Sequence, residues 1–252
     1  MNQNIKITFL GTNGWYASET GQTTCVLIDN KDSYIILDAG TGIYKIDKYI
    51  TEEKPIFLFL SHFHLEHICG LHILNKFHFK QGMTICCYKG GKKILENIIK
   101  QPYTLALSDL PFNVKIRELD EGINNRFPFT VICRESKHIS KNYAYRFEIG
   151  DRVISSCFDT GYCEAIIEIS KNADLVIAEC SRQPGRSNTK WPHLNPEDAA
   201  KLAKKSGAKK LALLHFDADN YRTLEQRKAA ENRARAIFKN TIATVDDMVI
   251  EI

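Results

Sequence analysis

The feature that most constrains this 252-residue chain is the stretch FLSHFHLEHICGL at positions 59–71, which continues an apolar run beginning at position 55. Its polar side chains, within six positions, are His62, His64, Glu66 and His67. His62 and His64 are two residues apart, so on extended chain leaving a strand they face the same way. Four such groups are costly to bury without a cation, and imidazole and carboxylate are ligands that zinc accepts. The stretch therefore predicts a metal site at a strand end, with a histidine-rich surface turn as the alternative.

Three further candidate ligands also follow apolar runs. His138 comes shortly after a predicted strand that ends near position 134, Asp159 lies in SCFDTGY, and His215 lies in LALLHFD. Taken alone, each would be interpreted as an ordinary polar residue and not as a ligand. Their shared placement after apolar runs predicts instead that they join the histidine cluster at one site.

The rest of the chain alternates between strand and helix patterns, without a linker or a short-period repeat. Strands are predicted at 5–10, 24–28, 34–37, 56–60, 114–118, 130–134, 143–148, 153–156, 175–178, 211–214 and 248–252. Helices are predicted at 68–77, 92–100, 163–170, 196–205 and 223–238. This order predicts one layered α/β domain over residues 1–252, with sheets inside and helices outside.

Composition by itself does not imply a membrane or nucleic-acid partner. The 34 basic and 30 acidic residues leave a net charge of only +4, and 44% of residues are hydrophobic, enough for a sizeable core. The beginning MNQNIKITFLGTNG lacks the apolar segment of a signal peptide, and no apolar run approaches the roughly 18 residues that span a bilayer. Eight cysteines without a CxxC pair are expected to be reduced and buried. We therefore expect a cytoplasmic protein.

The pattern SHFHLEH, followed by a later histidine, an aspartate in DTG and a histidine in LLHF, resembles the metallo-β-lactamase-fold hydrolases. The usual motif of that family is HxHxDH. ITFLGTNG, the LDAGTG turn at 37–42 and ADLVIAECS at 173–181 extend the resemblance from residue 5 to about residue 216. The chain is most similar to the branch with tRNase Z, cyclic-nucleotide phosphodiesterases and the phosphoribosyl cyclic phosphate phosphodiesterase. The resemblance implies a four-layer αββα sandwich.

The resemblance also implies a centre with two divalent metal ions, zinc or else manganese. The ligands of the first ion would be His62, His64 and His138, those of the second ion would be Glu66, His67 and His215, and Asp159 would bridge the two. Such a centre would activate a hydroxide for attack on phosphorus. Asp38, in LDAG, is expected to orient a ligand histidine, with a purely structural turn as the alternative.

Three residues are predicted to be catalytic. His193, in WPHLNPEDAAK, matches an additional histidine of the branch and is the candidate proton donor, with a surface-loop histidine as the alternative. Glu179, in AECS, would pair with His193 and keep it protonated. Glu66 replaces the usual aspartate with a side chain one methylene longer. We expect it to bind the second ion more weakly, although it could instead turn away. His72 and His78 match nothing in the pattern.

The predicted function is that of a metal-dependent phosphodiesterase acting on a small or cyclic phosphodiester. A tRNA substrate is not expected, because the segment KNYAYRFEIGDRVISS between His138 and Asp159 has no room for a tRNA-binding arm. The alternatives are a thioester or lactone hydrolase with the same metals and a catalytically weak protein that binds a nucleotide or partner. A homodimer is left open.

Overall fold

The computed structural model describes residues 4–252, in which sixteen strands and five α-helices are connected mostly by short loops. The strands are β1 (Lys6–Gly11), β2 (Asn13–Gly14), β3 (Cys25–Asn30), β4 (Ser33–Leu37), β5 (Ile56–Phe59), β6 (Met83–Tyr88), β7 (Val114–Leu119), β8 (Gly122–Asn124), β9 (Thr130–Glu135), β10 (Tyr143–Ile149), β11 (Arg152–Cys157), β12 (Leu175–Glu179), β13 (Leu211–Leu214), β14 (Phe216–Asp217), β15 (Thr241–Ala243) and β16 (Val249–Glu251). The α-helices are α1 (Leu65–Ile68), α2 (Gly91–Ile98), α3 (Glu164–Ile169), α4 (Pro196–Ser206) and α5 (Leu224–Arg235). Three 3-10 helices cover Thr41–Lys48, Cys69–Lys76 and Leu107–Asp109.

Two seven-stranded sheets form the inner layers. Their spatial orders are β16-β1-β3-β4-β5-β6-β7 and β15-β13-β12-β11-β10-β9-β8. Side chains alternate between the two faces of each strand, and here both faces are buried. In β5, Phe57 and Phe59 point into the core between the sheets, whereas Ile56 and Leu58 point outward.

Helices cover the outer faces of both sheets. The 3-10 helices Thr41–Lys48 and Cys69–Lys76 pack with α2 on the first sheet, and α3, α4 and α5 pack on the second. The predicted four-layer αββα sandwich is therefore confirmed. The prediction that residues 1–252 form one domain stays a prediction, which the core shared by both sheets supports.

Parallel strands bring several loops to one edge of the sandwich. β4 and β5 are parallel neighbours in the first sheet, and β11, β12 and β13 are parallel neighbours in the second. Because parallel strands end at the same edge, the polar residues that follow them in sequence meet there. The candidate ligands are placed by this arrangement.

The structure differs from the sequence prediction after the histidine cluster. The predicted helix 68–77 is wrong as one α-helix, since α1 ends at Ile68 and a 3-10 helix continues over Cys69–Lys76. The loop after β4 takes the hydrogen bonds that an α-helix would need. The amide of Gly70 donates to the carbonyl of Ala39 at 2.8 Å, and the carbonyl of His67 accepts from the amide of Ala39 at 2.7 Å.

The sequence also does not predict β6 or the short strands β2, β8, β14 and β15. β6 lies between β5 and β7 with parallel pairing to both. Its side chains are buried in the cores on both faces of the sheet, so it shows no alternation of polar and apolar residues. All eight cysteines are free and six of them are buried, as expected. Among residues 4–252, no helix has the length and apolarity needed to cross a bilayer.

The loop between β1 and β3 is held by two charged residues, the buried Arg227 and the partly buried Asp246. Arg227 of α5 donates to the hydroxyls of Thr12 at 2.8 Å and Thr20 at 3.0 Å, and its guanidinium lies 4.8 Å from the centre of the Phe216 ring. Asp246 accepts from the amide of Thr12 at 3.1 Å and from the ammonium of Lys45 at 3.0 Å. These contacts hold the loop in one conformation beside the edge where the candidate ligands meet.

Candidate metal centre

Loops from both sheets bring all seven predicted ligands into two overlapping groups. The first group is His62, His64, His138 and Asp159, and the second is Glu66, His67, Asp159 and His215. Within each group the potential ligand atoms lie within 4.8 Å of one another. The division and the shared aspartate match what the resemblance implies, although the roles of these residues as ligands stay a prediction.

Two of the candidate ligands and the neighbouring Asp38 lie in tight turns. Asp38, Asp159 and His215 all have positive φ values, of 55°, 45° and 53°. Such a conformation is unfavourable for residues other than glycine, by about 1 kcal/mol or more each. The surrounding structure therefore has to maintain these turns. Asp38 and His215 come directly after β4 and β13, and Asp159 comes two residues after the end of β11, so residues of the site lie at strand ends.

The second group shows why a cation is needed. The Nε2 atoms of His67 and His215 lie 3.0 Å apart, and they lie 3.1 Å and 3.0 Å from Oδ1 of Asp159. All three residues are buried. Three electron-rich atoms at this spacing repel one another unless positive charge lies between them. A proton satisfies one contact, whereas a metal ion can bind all three atoms.

Neighbouring groups determine which ring nitrogen of His67 and of His215 carries the hydrogen. Asp38 Oδ2 accepts from Nδ1 of His67 at 2.7 Å. The hydroxyl of Ser181 donates to the carbonyl of His215 at 3.1 Å, so the 2.9 Å contact between Nδ1 of His215 and Ser181 Oγ requires the histidine to donate. Both Nδ1 atoms therefore carry hydrogen, and in the neutral rings both Nε2 atoms are left with lone pairs for a metal.

In the first group, too, a serine hydroxyl determines which ring nitrogen of a histidine carries the hydrogen. The hydroxyl of Ser61 donates to Asp38 Oδ2 at 2.7 Å, so Nδ1 of His62 must donate to Ser61 Oγ at 3.0 Å. Among the described residues, the buried Nε2 of His62 and both buried ring nitrogens of His138 have no hydrogen-bond partner. Unpartnered buried nitrogens are unfavourable for a fold, whereas metal ligation would satisfy one on each ring.

Burial lowers the pKa values of several histidines in the site, whereas neighbouring carboxylates raise them. Burial, followed by the neighbouring His67, lowers the pKa of His62 well below its ordinary value, and burial lowers the pKa of His138 to about 4. Burial opposes charge on His67 too, but the carboxylates of Asp159 and Asp38 raise its pKa well above the usual range. At neutral pH, His62 and His138 are therefore the neutral imidazoles that metal binding requires.

The spacing of the ligand atoms fits a small divalent ion. Asp159 directs Oδ1 toward the second group, and its Oδ2 lies 3.7 Å from Nε2 of His62 in the first. Ligands about 2.0–2.1 Å from a tetrahedral zinc ion are about 3.3 Å apart, which lies within the spread of 3.0–3.7 Å found here. Nitrogen and oxygen ligands without sulfur suit zinc or manganese.

The predicted catalytic pair is formed beside these groups. Nδ1 of His193 lies 2.8 Å from Oε1 of the fully buried Glu179, which also accepts from the amide of Thr160 at 2.5 Å. Burial disfavours charge on His193, but Glu179 outweighs it and raises the pKa of His193 to about 9. The His193 ring centre lies 5.6 Å from that of His138 and 6.1 Å from that of His215.

The remaining predicted residues are placed as follows. Asp38 contacts His67, so the orienting interaction expected of it is present. Glu66 is half-buried on α1 with its carboxylate in the second group and is not turned away from it. His72 and His78 are exposed and lie outside both groups.

Several residues of the site are not predicted from the sequence. Ser61 and Ser181 each follow a strand beside a candidate residue, which is a signal that could identify them. Gly14 packs so closely on His215 that an added Cβ would lie 2.5 Å from Cε1 of the ring. The open side of the site is a cavity of about 340 Å³. It is lined by Trp15, His64, Glu66, Asp159, Ser181, Arg182, Trp191, His193, His215 and Asp217.

Known proteins share the fold and parts of the sequence. A family model described as "Beta-lactamase superfamily domain" matches residues 33–216. "Probable metallo-hydrolase YhfI" of Bacillus subtilis (strain 168) is 28% identical over 219 residues, covering 84% of this chain and 87% of that protein. The YhfI crystal structure superposes with a TM-score of 0.83, at 22% identity and with complete coverage of both chains.

Two further proteins match over nearly the whole chain. A ribonuclease Z of Bacillus velezensis is 22% identical over 310 aligned positions, covering 98% of this chain and 99% of that protein. A crystal structure described as a new diphosphatase from the PhnP family has a TM-score of 0.75 at 14% identity, covering 99% of this chain and 97% of that one. At such identities the structural similarity establishes the fold alone.

We expect protein prepared with excess zinc to retain close to two ions per chain, one for each group of ligand atoms. His64→Ala should lower both the zinc content and the affinity for zinc, because it removes one imidazole from the first group. His72→Ala, in the same segment but outside both groups, is the matched control. Elemental analysis after gel filtration checks this. Wild-type protein without metal, or His64→Ala with unchanged content, would contradict it.

Glu66 should bind the second ion less tightly than the family's aspartate would. Metal–oxygen distances tolerate deviations of only about 0.2 Å, so the additional methylene has to be absorbed by the side chain or the backbone. We expect a competition titration with a chromophoric chelator to show one tight and one weaker site. Glu66→Asp should tighten the weaker site, and Glu66→Ala should weaken it further. Two equally tight sites that Glu66→Ala leaves unchanged would show that the idea is wrong.

Proposed function

Because the chain belongs to the β-lactamase superfamily, we propose that it is a metal-dependent phosphodiesterase acting on a small or cyclic phosphodiester. The observation that carries this proposal is the Glu179–His193 pair beside the two groups of candidate ligands. Hydrolysis of a phosphodiester with an alkoxide leaving group needs a proton donor as well as a nucleophile. Two relatives, a ribonuclease Z and a diphosphatase, have names that denote enzymes acting on phosphate compounds.

The chain's own residues would hold the metals and orient their ligands. Divalent ions bound by the two groups would lower the pKa of bound water and polarise phosphoryl oxygens. Asp38 and Ser61 hold the imidazoles of His67 and His62, and Ser181 holds that of His215. Such outer partners fix ring orientation, and losing one typically lowers metal affinity about 10–100-fold.

His193 would deliver the proton. Its Nδ1 is engaged by Glu179, the ring lines the cavity, and its raised pKa of about 9 keeps it protonated near neutral pH. A hydrolase acting on thioesters has less need of such a donor, since a thiolate leaves readily. The pair therefore favours phosphodiesters over thioesters.

Arg182 adds a permanent positive charge to the same cavity. Its Nη2 donates to the carbonyl of Trp191 at 3.1 Å, while its Nε is buried and has no partner among the described residues. Guanidinium groups suit the oxygens of phosphate esters. Arg182 would thus contact a non-bridging oxygen of the substrate.

A small substrate fits the cavity better than an RNA. Between His138 and Asp159, which the structure describes completely, the chain forms only the antiparallel pair β10 and β11. The alignment with ribonuclease Z covers 310 positions, more than the 252 residues of this chain, so parts of that relative have no counterpart here. A cavity of about 340 Å³ is near the lower end for drug-sized ligands.

The proposal is tested with bis(p-nitrophenyl) phosphate and a thioester, each with and without a chelator. We expect hydrolysis of the phosphodiester that the chelator abolishes and added zinc or manganese restores, because the imidazoles require a cation. Asp159→Asn should abolish it as well, whereas His78→Ala, an exposed histidine, should not. Efficient thioester hydrolysis without phosphodiester hydrolysis would reject the proposal.

His193→Ala should reduce turnover by about 10²–10⁴-fold for an alkyl leaving group and much less for p-nitrophenolate, which leaves without a proton. The pH profile gives an independent measurement. Because the acid form is lost as pH rises through about 9, the wild-type rate on the alkyl substrate should fall above that pH. Glu179→Gln should move the fall to lower pH. Equal losses on both substrates would show that His193 is not the proton donor.

A further inference from the structure

Both tryptophans of the chain lie at the mouth of the candidate site. The sequence contains two, and Trp15 and Trp191 line the cavity together with His64 and Glu66. The same four residues and Leu65 line an adjoining outer cavity of about 420 Å³. Trp15 is 60% exposed, Trp191 43% and Leu65 75%. Large apolar side chains clustered at an opening are typical of a surface that binds something.

The conformation of Trp15 is unfavourable for the fold by itself. Its φ is 68°, in the left-handed region that bulky residues rarely adopt. Its ring contacts that of Tyr16 edge to face, at 5.2 Å between centres, but stays largely exposed. The loop that carries it is held by Arg227 and Asp246. A strained backbone that presents an exposed ring at a cavity indicates a role in binding.

Trp191 is held from a different loop. Its amide donates to Oδ1 of Asn188 at 3.2 Å, and its carbonyl accepts from Arg182 at 3.1 Å. Its ring is within 13° of parallel to that of His64, with ring centres 6.1 Å apart. Trp191 is thus oriented by the candidate metal ligand and by Arg182, whose guanidinium is the proposed phosphate contact.

We propose that Trp15 and Trp191 determine substrate specificity by stacking on a flat aromatic ring, of the size of a nucleobase, carried by the phosphodiester. The phosphoryl group would lie at the inner cavity with His193 and Arg182, and the ring would lie in the outer cavity with Leu65. This inference rests on the proposed function and adds the chemical class of the ester group. Stacking on aromatic side chains tolerates any base, so the identity of the base would matter little.

Binding can be measured without turnover, because Trp15 and Trp191 are the chain's only tryptophans and their fluorescence reports directly on the outer cavity. The probes are adenosine 5′-monophosphate, ribose 5-phosphate, which lacks the base, and phenyl phosphate, which carries a single ring. We expect the nucleotide to quench the emission saturably and to bind at least about 10-fold more tightly than ribose 5-phosphate. The affinity for phenyl phosphate should lie between the affinities for these two ligands.

Trp15→Ala and Trp191→Ala should each reduce the affinity for the nucleotide about 10-fold and leave that for ribose 5-phosphate unchanged, as measured by calorimetry. Tyr44→Ala removes a comparably exposed ring that lines neither cavity and is the matched control. Unchanged melting temperatures show that the variants fold. Equal affinities for the nucleotide and ribose 5-phosphate, or variants that bind the nucleotide as well as wild type does, would overturn the inference.

These outcomes separate the inference from the proposed function. Tight nucleotide binding without hydrolysis of any phosphodiester would reject the phosphodiesterase proposal and support base stacking. Hydrolysis of bis(p-nitrophenyl) phosphate without preference for the nucleotide over ribose 5-phosphate would support the phosphodiesterase proposal and reject base stacking.

Discussion

The contact between Nε2 of His67 and Nε2 of His215, 3.0 Å apart beside Oδ1 of Asp159, is the interaction on which the rest of the site depends. Two imidazole lone pairs and a carboxylate oxygen cannot be buried at this spacing without positive charge between them. The outer partners Asp38 and Ser181 hold the ring hydrogens on the Nδ1 atoms, so neither ring in its neutral form carries a hydrogen on Nε2. The protein is therefore arranged around a cation.

That arrangement conflicts with what the backbone alone prefers. Asp38, Asp159 and His215 adopt left-handed conformations within two residues of a strand end, and Gly14 is required for the packing of His215. The two sheets supply the rigidity for this, because each strained residue follows a strand that is hydrogen-bonded on both sides within a buried sheet. Strain is tolerated where the neighbouring structure determines it completely. The stability of the sandwich thus allows the candidate ligands of the two groups to be held this close together.

Much of the fold and most of the metal groups could be predicted because both depend on local sequence. Alternating or continuous apolar runs mark most strands, and the candidate ligands follow closely after those runs, as His62, Asp159 and His215 show. What could not be predicted depends on contacts between distant segments. The hydrogen bonds of Ala39 with His67 and Gly70 turn the expected helix after the cluster into a 3-10 helix, and no local pattern contains them.

The same limit applies to the open side of the site. Trp15 and Trp191 are 176 positions apart, and neither belongs to a periodic pattern that would predict its partner. Only the topology, with both sheets ending at one edge, brings them to the same opening. A resemblance based on ligand motifs therefore predicts the chemistry of the centre before it predicts what the chain binds.

Glu66 shows how tightly the centre restricts change. Its neighbour His67 is fixed through its ring by Asp38 and through its carbonyl by Ala39, so the backbone of α1 cannot retreat to make room for a longer side chain. The additional methylene has to be absorbed by side-chain torsions. Glu66 has that freedom, because it is half-buried and lines both the inner and the outer cavity, whereas His67 is fully buried. The most adaptable member of the second group is therefore also the one that lines the cavities where the substrate is proposed to bind, beside Trp15 and Trp191.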